Sequence, residues 1–207
     1  MQVHPDTTRI TITIGGLNKD YAAILEQSSA DTETLKELLT PFGFSRKDLK
    51  TLNFNIDTEY ESYKEKGDYK KRFVGYSYRH VLKVEFESDN KRLGKILYAL
   101  AHCNLSPEFR ISYTVKDPEV VKNELLAKAV KDAVSKAGVL SEAAGLRLGG
   151  IQNIDYSWGQ VDFEVHAVNS LCETKMLACD EYRSYNMDIE PDDIDVQDTV
   201  TVVWEID

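Results

Sequence analysis

The sequence has few cysteines, few histidines, no long apolar run and no excess of basic charge. Among its 207 residues are three cysteines and four histidines. Cys103, Cys172 and Cys179 form an odd set with no CxxC or zinc-finger spacing, which excludes a disulfide framework and fits free thiols in a reducing compartment. No stretch approaches 18 consecutive apolar residues, so no membrane-spanning helix is expected. Met1 to Thr13 has no apolar core behind a basic start, so no secretory signal is visible. There is no P-loop, GxSxG, HExxH or dinucleotide fingerprint. Lys and Arg total 25 against 35 Asp and Glu, a formal charge of −10, which argues against a general nucleic-acid binder.

What is present is an ordinary globular composition, 42% hydrophobic and 29% charged, long enough for one sizeable core. The charge is unevenly placed. Asp180 to Asp207 holds ten acids against the single base Arg183, a segment charge of −9, and the preceding 179 residues carry −1. The chain is a nearly neutral body with an acidic end.

Periodicity gives the elements. Ile10, Ile12 and Ile14 alternate with threonines as a strand that Gly15, Gly16 and Asn18 break. Tyr21 to Leu39 has helical spacing and is closed by Pro41 and Gly43; Ser45 caps a short turn. Leu52, Phe54, Ile56, Thr58 and Tyr60 form a strand with one wet face. Across the turn Lys66-Gly67-Asp68 comes a long partner, with Val74, Tyr76, Tyr78, His80, Leu82, Val84 and Phe86 on one side and Phe73, Gly75 and Ser77 on the other. Asp89 caps a helix to His102. A strand at Phe109 to Val115 leads to Asp117-Pro118, a helix start. That helix ends at Gly145 and carries the stripe Val121, Leu125, Ala129, Ala133, Ala137, Leu140 and Ala144, interrupted by Gly138. Ile151 to Trp158, continued by Val161, Phe163 and Val165, and Val196 to Ile206 complete the strands; 166–190 reads as an irregular loop insertion. The order β-α-β-β-α-β-α-β-β implies an α+β fold: an antiparallel or mixed twisted sheet, helices on one face, and a long extending hairpin. No linker divides the chain, so a single domain over 1–207 is expected.

Several landmarks together resemble the SIMPL domain family, over essentially the whole chain. They are Val3-His4-Pro5-Asp6, Gly75-Tyr76, the run Ile111 to Glu119 entering the Ala- and Lys-rich helix, Gly145-Leu146-Arg147-Leu148-Gly149, Pro191-Asp192-Asp193-Ile194 and Val200 to Ile206. Members usually begin with one more strand ahead of the V-x-P-D element, and many carry a signal peptide; here the sequence starts at V-x-P-D. The resemblance implies this fold and a tendency to assemble into rings or bind partners, with a link to oxidative stress. It implies no catalytic residue and no cofactor. A cytoplasmic member is the simpler expectation, with the periplasm or envelope as the alternative for a chain trimmed of its signal.

The chemistry-bearing residues read mostly as structural. His80, between Tyr78 and Leu82, reads as a packed, hydrogen-bonded histidine ahead of a titrating interface site. His102 and Cys103 are helix neighbours pointing about 100° apart, not a thiolate pair. Cys172 and Cys179, near His166, are too widely spaced for a usual zinc site; free thiols with a redox response are the functional alternative. The acidic stretch Asp188 to Asp198 lacks the pattern of a calcium loop. Lys64, Lys66, Lys70, Lys71 and Arg72, with Tyr63 and Tyr69, make one basic tip; it reads as a solvated tip or a dock for an acidic segment. The expected interface is Tyr60, Tyr63, Lys70, Lys71, Arg72, Tyr76 and Tyr78, on a hairpin too long for one helix to cover.

The leading expectation is therefore a non-enzymatic protein that forms a homo-oligomer and binds a protein partner, with no cofactor, metal or nucleic acid. The alternatives are a redox-responsive protein using Cys172 or Cys179, and a small-molecule binder or enzyme with a pocket at a group such as His80.

Overall fold

In a computed structural model the described residues are 1–65, 68–156, 163–166 and 189–207. The turn residues Lys66 and Gly67, with Trp158, Val161, Cys172 and Cys179, lie outside them. The elements in chain order are β1 (Gln2–Val3), β2 (Thr7–Asn18), α1 (Tyr21–Leu39), a 3-10 turn (Thr40–Phe42), β3 (Lys50–Glu65), β4 (Asp68–Glu87), α2 (Asn90–Ala101), β5 (Glu108–Thr114), α3 (Pro118–Ala144), β6 (Leu148–Asp155), β7 (Val165–His166), β8 (Ile194–Asp195) and β9 (Thr201–Ile206). This is an α+β fold in which strands pair antiparallel. The chain divides into two compact units: Thr7–Tyr113 with His166–Glu190, and Met1–Asp6 with Thr114–Val165 and Pro191–Asp207.

The first unit is a five-stranded sheet in the order β3-β4-β2-β5-β7. Period two sends Ile10, Ile12 and Ile14 of β2, and Tyr78, Leu82, Val84 and Phe86 of β4, to one face. There they meet Ile24, Leu35 and Leu39 of α1 and Leu93, Ile96, Leu97 and Leu100 of α2 in one core. Both helices have aspartate caps. The Asp20 carboxylate accepts from the Ala23 N–H at 2.9 Å, and that of Asp89 from the Lys91 N–H at 2.8 Å. Arg92 closes one end of the core. Its guanidinium lies over the rings of Phe44 (4.5 Å) and Phe86 (4.9 Å), and its Nε donates to the Phe42 carbonyl.

β3 is an edge strand, and it differs from the expected half-wet one. Only Ile56 is half-buried and every other position is exposed, because no helix reaches across β4 to cover it. β2 pairs with β4 as far as Asn18↔Tyr76. Beyond that point β3 and β4 continue alone to Glu65↔Asp68.

The second unit contains α3, the β6–β9 pair and the short β1–β8 pair. Its small core is Val115, Leu125, Phe163, Ile194 and Val196, with Met1, Val3, Val121 and Val165 against it. Asp117 and Pro118 start α3, and Gly145, at φ 71°, ends it in the left-handed conformation. The expected stripe of α3 holds from Val121 to Ala137, where Val121, Ala129, Ala133 and Ala137 are half-buried beside Leu125, and is corrected at its end, where Leu140 and Ala144 are exposed. Leu125 alone is fully buried, and Leu140 is 70% exposed. The two-stranded β6–β9 pair is too small to cover a helix of 27 residues.

The V-x-P-D landmark proves to be a fastener. Val3 pairs with Ile194, the His4 Nδ1 lies 3.1 Å from an Asp193 oxygen, and the Asp6 carboxylate accepts from the Lys116 N–H at 2.8 Å. These bonds tie the N-terminal segment to both the entrance of α3 and the Asp192-Asp193-Ile194 stretch. Distant landmarks in the sequence are thus neighbours in the structure.

Candidate functional site

Among the described residues, His80, Tyr78 and His102 are engaged in packing contacts. His80 is buried where α1 crosses the sheet. The Thr32 hydroxyl donates to the Ser28 carbonyl at 2.7 Å, so its oxygen accepts from His80 Nδ1–H at 3.1 Å. That leaves His80 Nε2 to accept from the Thr51 hydroxyl at 2.9 Å. Phe54 meets the ring edge-on at 5.1 Å. A neutral imidazole therefore links α1, β4 and β3. Burial, then the nearby Lys36 ammonium, hold its pKa below the ordinary histidine value.

A pH dependence follows. Below pH about 6.5 the unfolded chain takes up a proton at His80 that the folded chain resists, so the stability held above that pH is lost as pH falls. Urea midpoints should fall from pH 7 to pH 5. His80→Gln should flatten that slope, and an equal slope in the variant would show that His80 is not its source.

Tyr78 is 2% exposed, and its hydroxyl donates to the Asp31 carboxylate on α1. Burial, then the hydrogen bond to Asp31, push its pKa far above the usual phenol value. Tyr76 packs edge-on against Tyr21 of α1 at 5.2 Å. Both were expected at an interface. Tyr78 belongs instead to the chain's own core and Tyr76 is half-covered, because Asp31 and Tyr21 of α1 lie over this end of the sheet.

His102 and Cys103 have separate partners. The His102 ring stacks on Tyr98 with centroids 4.1 Å apart, and the Cys103 thiol points to the Leu100 carbonyl at 3.2 Å. Among the described residues no group of three His, Cys, Asp or Glu is placed to hold a metal ion. No helix among them is long and apolar enough to cross a membrane.

The feature left uncovered is the ribbon of β3 and β4 beyond Thr58↔Tyr76. Six residues of β3, from Tyr60 to Glu65, span about 20 Å at strand rise. Glu59 pairs with Gly75 but Tyr60 pairs with Phe73, so Val74 is an extra residue on β4. This bulge shifts the alternation by one and brings Phe73 to the side of Tyr76, with rings 5.3 Å apart. The expected placement of Phe73 on the opposite side is thereby corrected. Opposed residues share a face of an antiparallel pair. One face of the ribbon carries Tyr60 and Phe73, then Ser62 and Lys71, then Lys64 and Tyr69. Tyr60 is 58% exposed, Phe73 47% and Tyr69 80%.

The other face carries Glu61 with Arg72, Tyr63 with Lys70, and Glu65 with Asp68. Here the charges pair across the strands: Arg72 to Glu61 at 2.7 Å and Lys70 to Glu65 at 2.6 Å. The expected basic tip is therefore split. Lys70 and Arg72 are occupied by the ribbon's own acids, while Lys64 and Lys71 share the opposite face with three aromatic rings.

The chain matches the SIMPL family model, described as a protein of unknown function (DUF541), over residues 1–204. It is 25% identical over 152 residues to the uncharacterized protein YggE of Edwardsiella ictaluri, an alignment covering 73% of this chain and 62% of that protein. The chain thus spans less than two thirds of the length of that relative.

Proposed function

The chain belongs to the SIMPL family, and from that premise we propose that it works by assembling with copies of itself and by binding a protein partner, without catalysing a reaction. The carrying observation is the two-stranded ribbon. Two strands alone are marginal in water and need a third strand or a covering layer. This ribbon exposes Tyr60, Tyr69 and Phe73, which no element among the described residues of its own unit covers. Aromatic side chains of this kind are enriched in the buried centres of protein interfaces. The outer edge of β3 supplies further unpaired backbone groups.

The reading without catalysis is supported by where the titratable groups stand. His80, Tyr78 and His102 each serve a packing contact in the chain's own structure.

Size exclusion with multi-angle light scattering tests the proposal. A mass of two or more chains at micromolar concentration is expected. Tyr60→Ser combined with Phe73→Ser should return it to one chain while leaving the thermal midpoint near that of the parent. A parent that is strictly monomeric at 100 µM would overturn the assembly reading.

A further inference from the structure

The two faces of the ribbon differ in charge as well as in apolarity. The face of Tyr60, Phe73, Lys71, Lys64 and Tyr69 has two cations and no acid. The opposite face has Glu61, Glu65 and Asp68 against Arg72 and Lys70. An aromatic, cationic face suits an anionic partner whose carboxylates are spaced along an extended backbone. The same chain displays such a segment. From Ser184 to Asp207 there is no Lys or Arg. Within that stretch Ile194 and Val196 are buried, and Asp192, Asp193 and Asp195 are exposed. The buried residues hold the segment in place and leave the carboxylates outward.

We propose that the aromatic, cationic face of the β3–β4 ribbon in one copy docks on the acidic Asp192–Asp195 segment of a second copy. This rests on the assembly reading above and names its contact. Lys64 and Lys71 meet carboxylates, and Tyr60 and Phe73 lose water contact against the apolar parts of the segment. A single-stranded nucleic acid would suit the same rings and cations. The acidic segment of another copy is present wherever the ribbon is and sets buried Ile194 and Val196 between its carboxylates, so the second copy is the occupant named here and nucleic acid is left to the test. Ribbon and segment are different surfaces, so the contact is head-to-tail and each copy offers one of each.

Charge exchange tests the proposal. Lys64→Glu with Lys71→Glu makes the ribbon face acidic, and Asp192→Lys with Asp195→Lys makes the segment basic. All four side chains are exposed, so both proteins should melt as the parent does. Each variant alone is expected to run as one chain in light scattering, because like charges then face each other. An equimolar mixture should regain the parent mass, since every ribbon then finds a segment of opposite sign on the other variant. The parent itself should dissociate between 0.1 M and 1 M salt, where the screening length falls from ~10 Å to ~3 Å.

Variants that still assemble alone would overturn this contact and leave the assembly reading standing. Variants that fall to one chain, melt normally and do not recover on mixing would show that the ribbon docks elsewhere, which also overturns it. Tight binding of labelled oligothymidylate by the parent, lost in Lys64→Glu/Lys71→Glu without change of mass, would assign the face to nucleic acid instead. A monomeric parent would remove the assembly reading and this contact together.

Discussion

Gly75→Ala is expected to cost the fold about 3 kcal/mol, the upper part of the range for forcing extra atoms into a packed site. A Cβ at Gly75 would sit 2.5 Å from the Asn18 carbonyl oxygen and 3.0 Å from its carbon. Both atoms are backbone, so no side-chain rotation relieves the clash. Asn18 is the last residue of β2 to pair with β4, and Gly75 precedes its partner Tyr76. Relief therefore requires peeling β2 from the sheet at the root of the ribbon. Gly138→Ala is the matched control. A Cβ there meets open space in the middle of α3, so that change should stabilise by up to about 1 kcal/mol. Urea denaturation of both variants checks the pair. A loss under 1 kcal/mol at Gly75 would show that the end of β2 yields freely.

Tyr78→Ala should cost about 4 kcal/mol, as removal of a large buried aromatic does. The ring is 2% exposed and lies close enough to β2 that a Cβ on Gly16 would come within 2.9 Å of it. Tyr78→Phe keeps the ring and removes only the hydrogen bond to Asp31, a loss of about 1 kcal/mol. The gap between the two variants measures packing against hydrogen bonding at the α1–sheet contact. Equal losses would place the energy in the hydroxyl. Tyr78→Phe should leave the oligomeric state of the parent unchanged, because the side chain is inside its own unit.

Much of the fold was legible from local signals. Alternation in β2 and β4 gives one apolar face. The aspartates before α2 and α3, Pro118 and Gly145 act within a few residues of themselves, so their effect survives any tertiary arrangement. Asp117 caps α3 through the Val120 N–H, as that spacing implies. The α3 stripe held to Ala137 and misled only at Leu140 and Ala144, because apolar spacing shows which face a helix would bury. It carries no information on whether a surface is there to meet it. Tyr78 and Tyr76 misled for the converse reason: how far α1 reaches along the sheet depends on the packing of both elements together.

The candidate site shows the same division. Exposed aromatics and lysines on a long hairpin were visible as residue types. Their sorting into two faces was not, since it depends on the register of β3 on β4, and one extra residue, Val74, decides which face continues the side of Tyr76. A bulge is a property of how two strands register, and either strand alone reads as regular alternation. The α+β class, the helix boundaries, the acidic end and the family resemblance came from the order of residues by itself, through effects that act over a few positions. The burial of Tyr78, the bonding of His80 to two threonines and the split of Lys64 and Lys71 from Lys70 and Arg72 were decided only by the tertiary structure. They depend on which distant segments pair and in what register, and a sum of local preferences does not contain that.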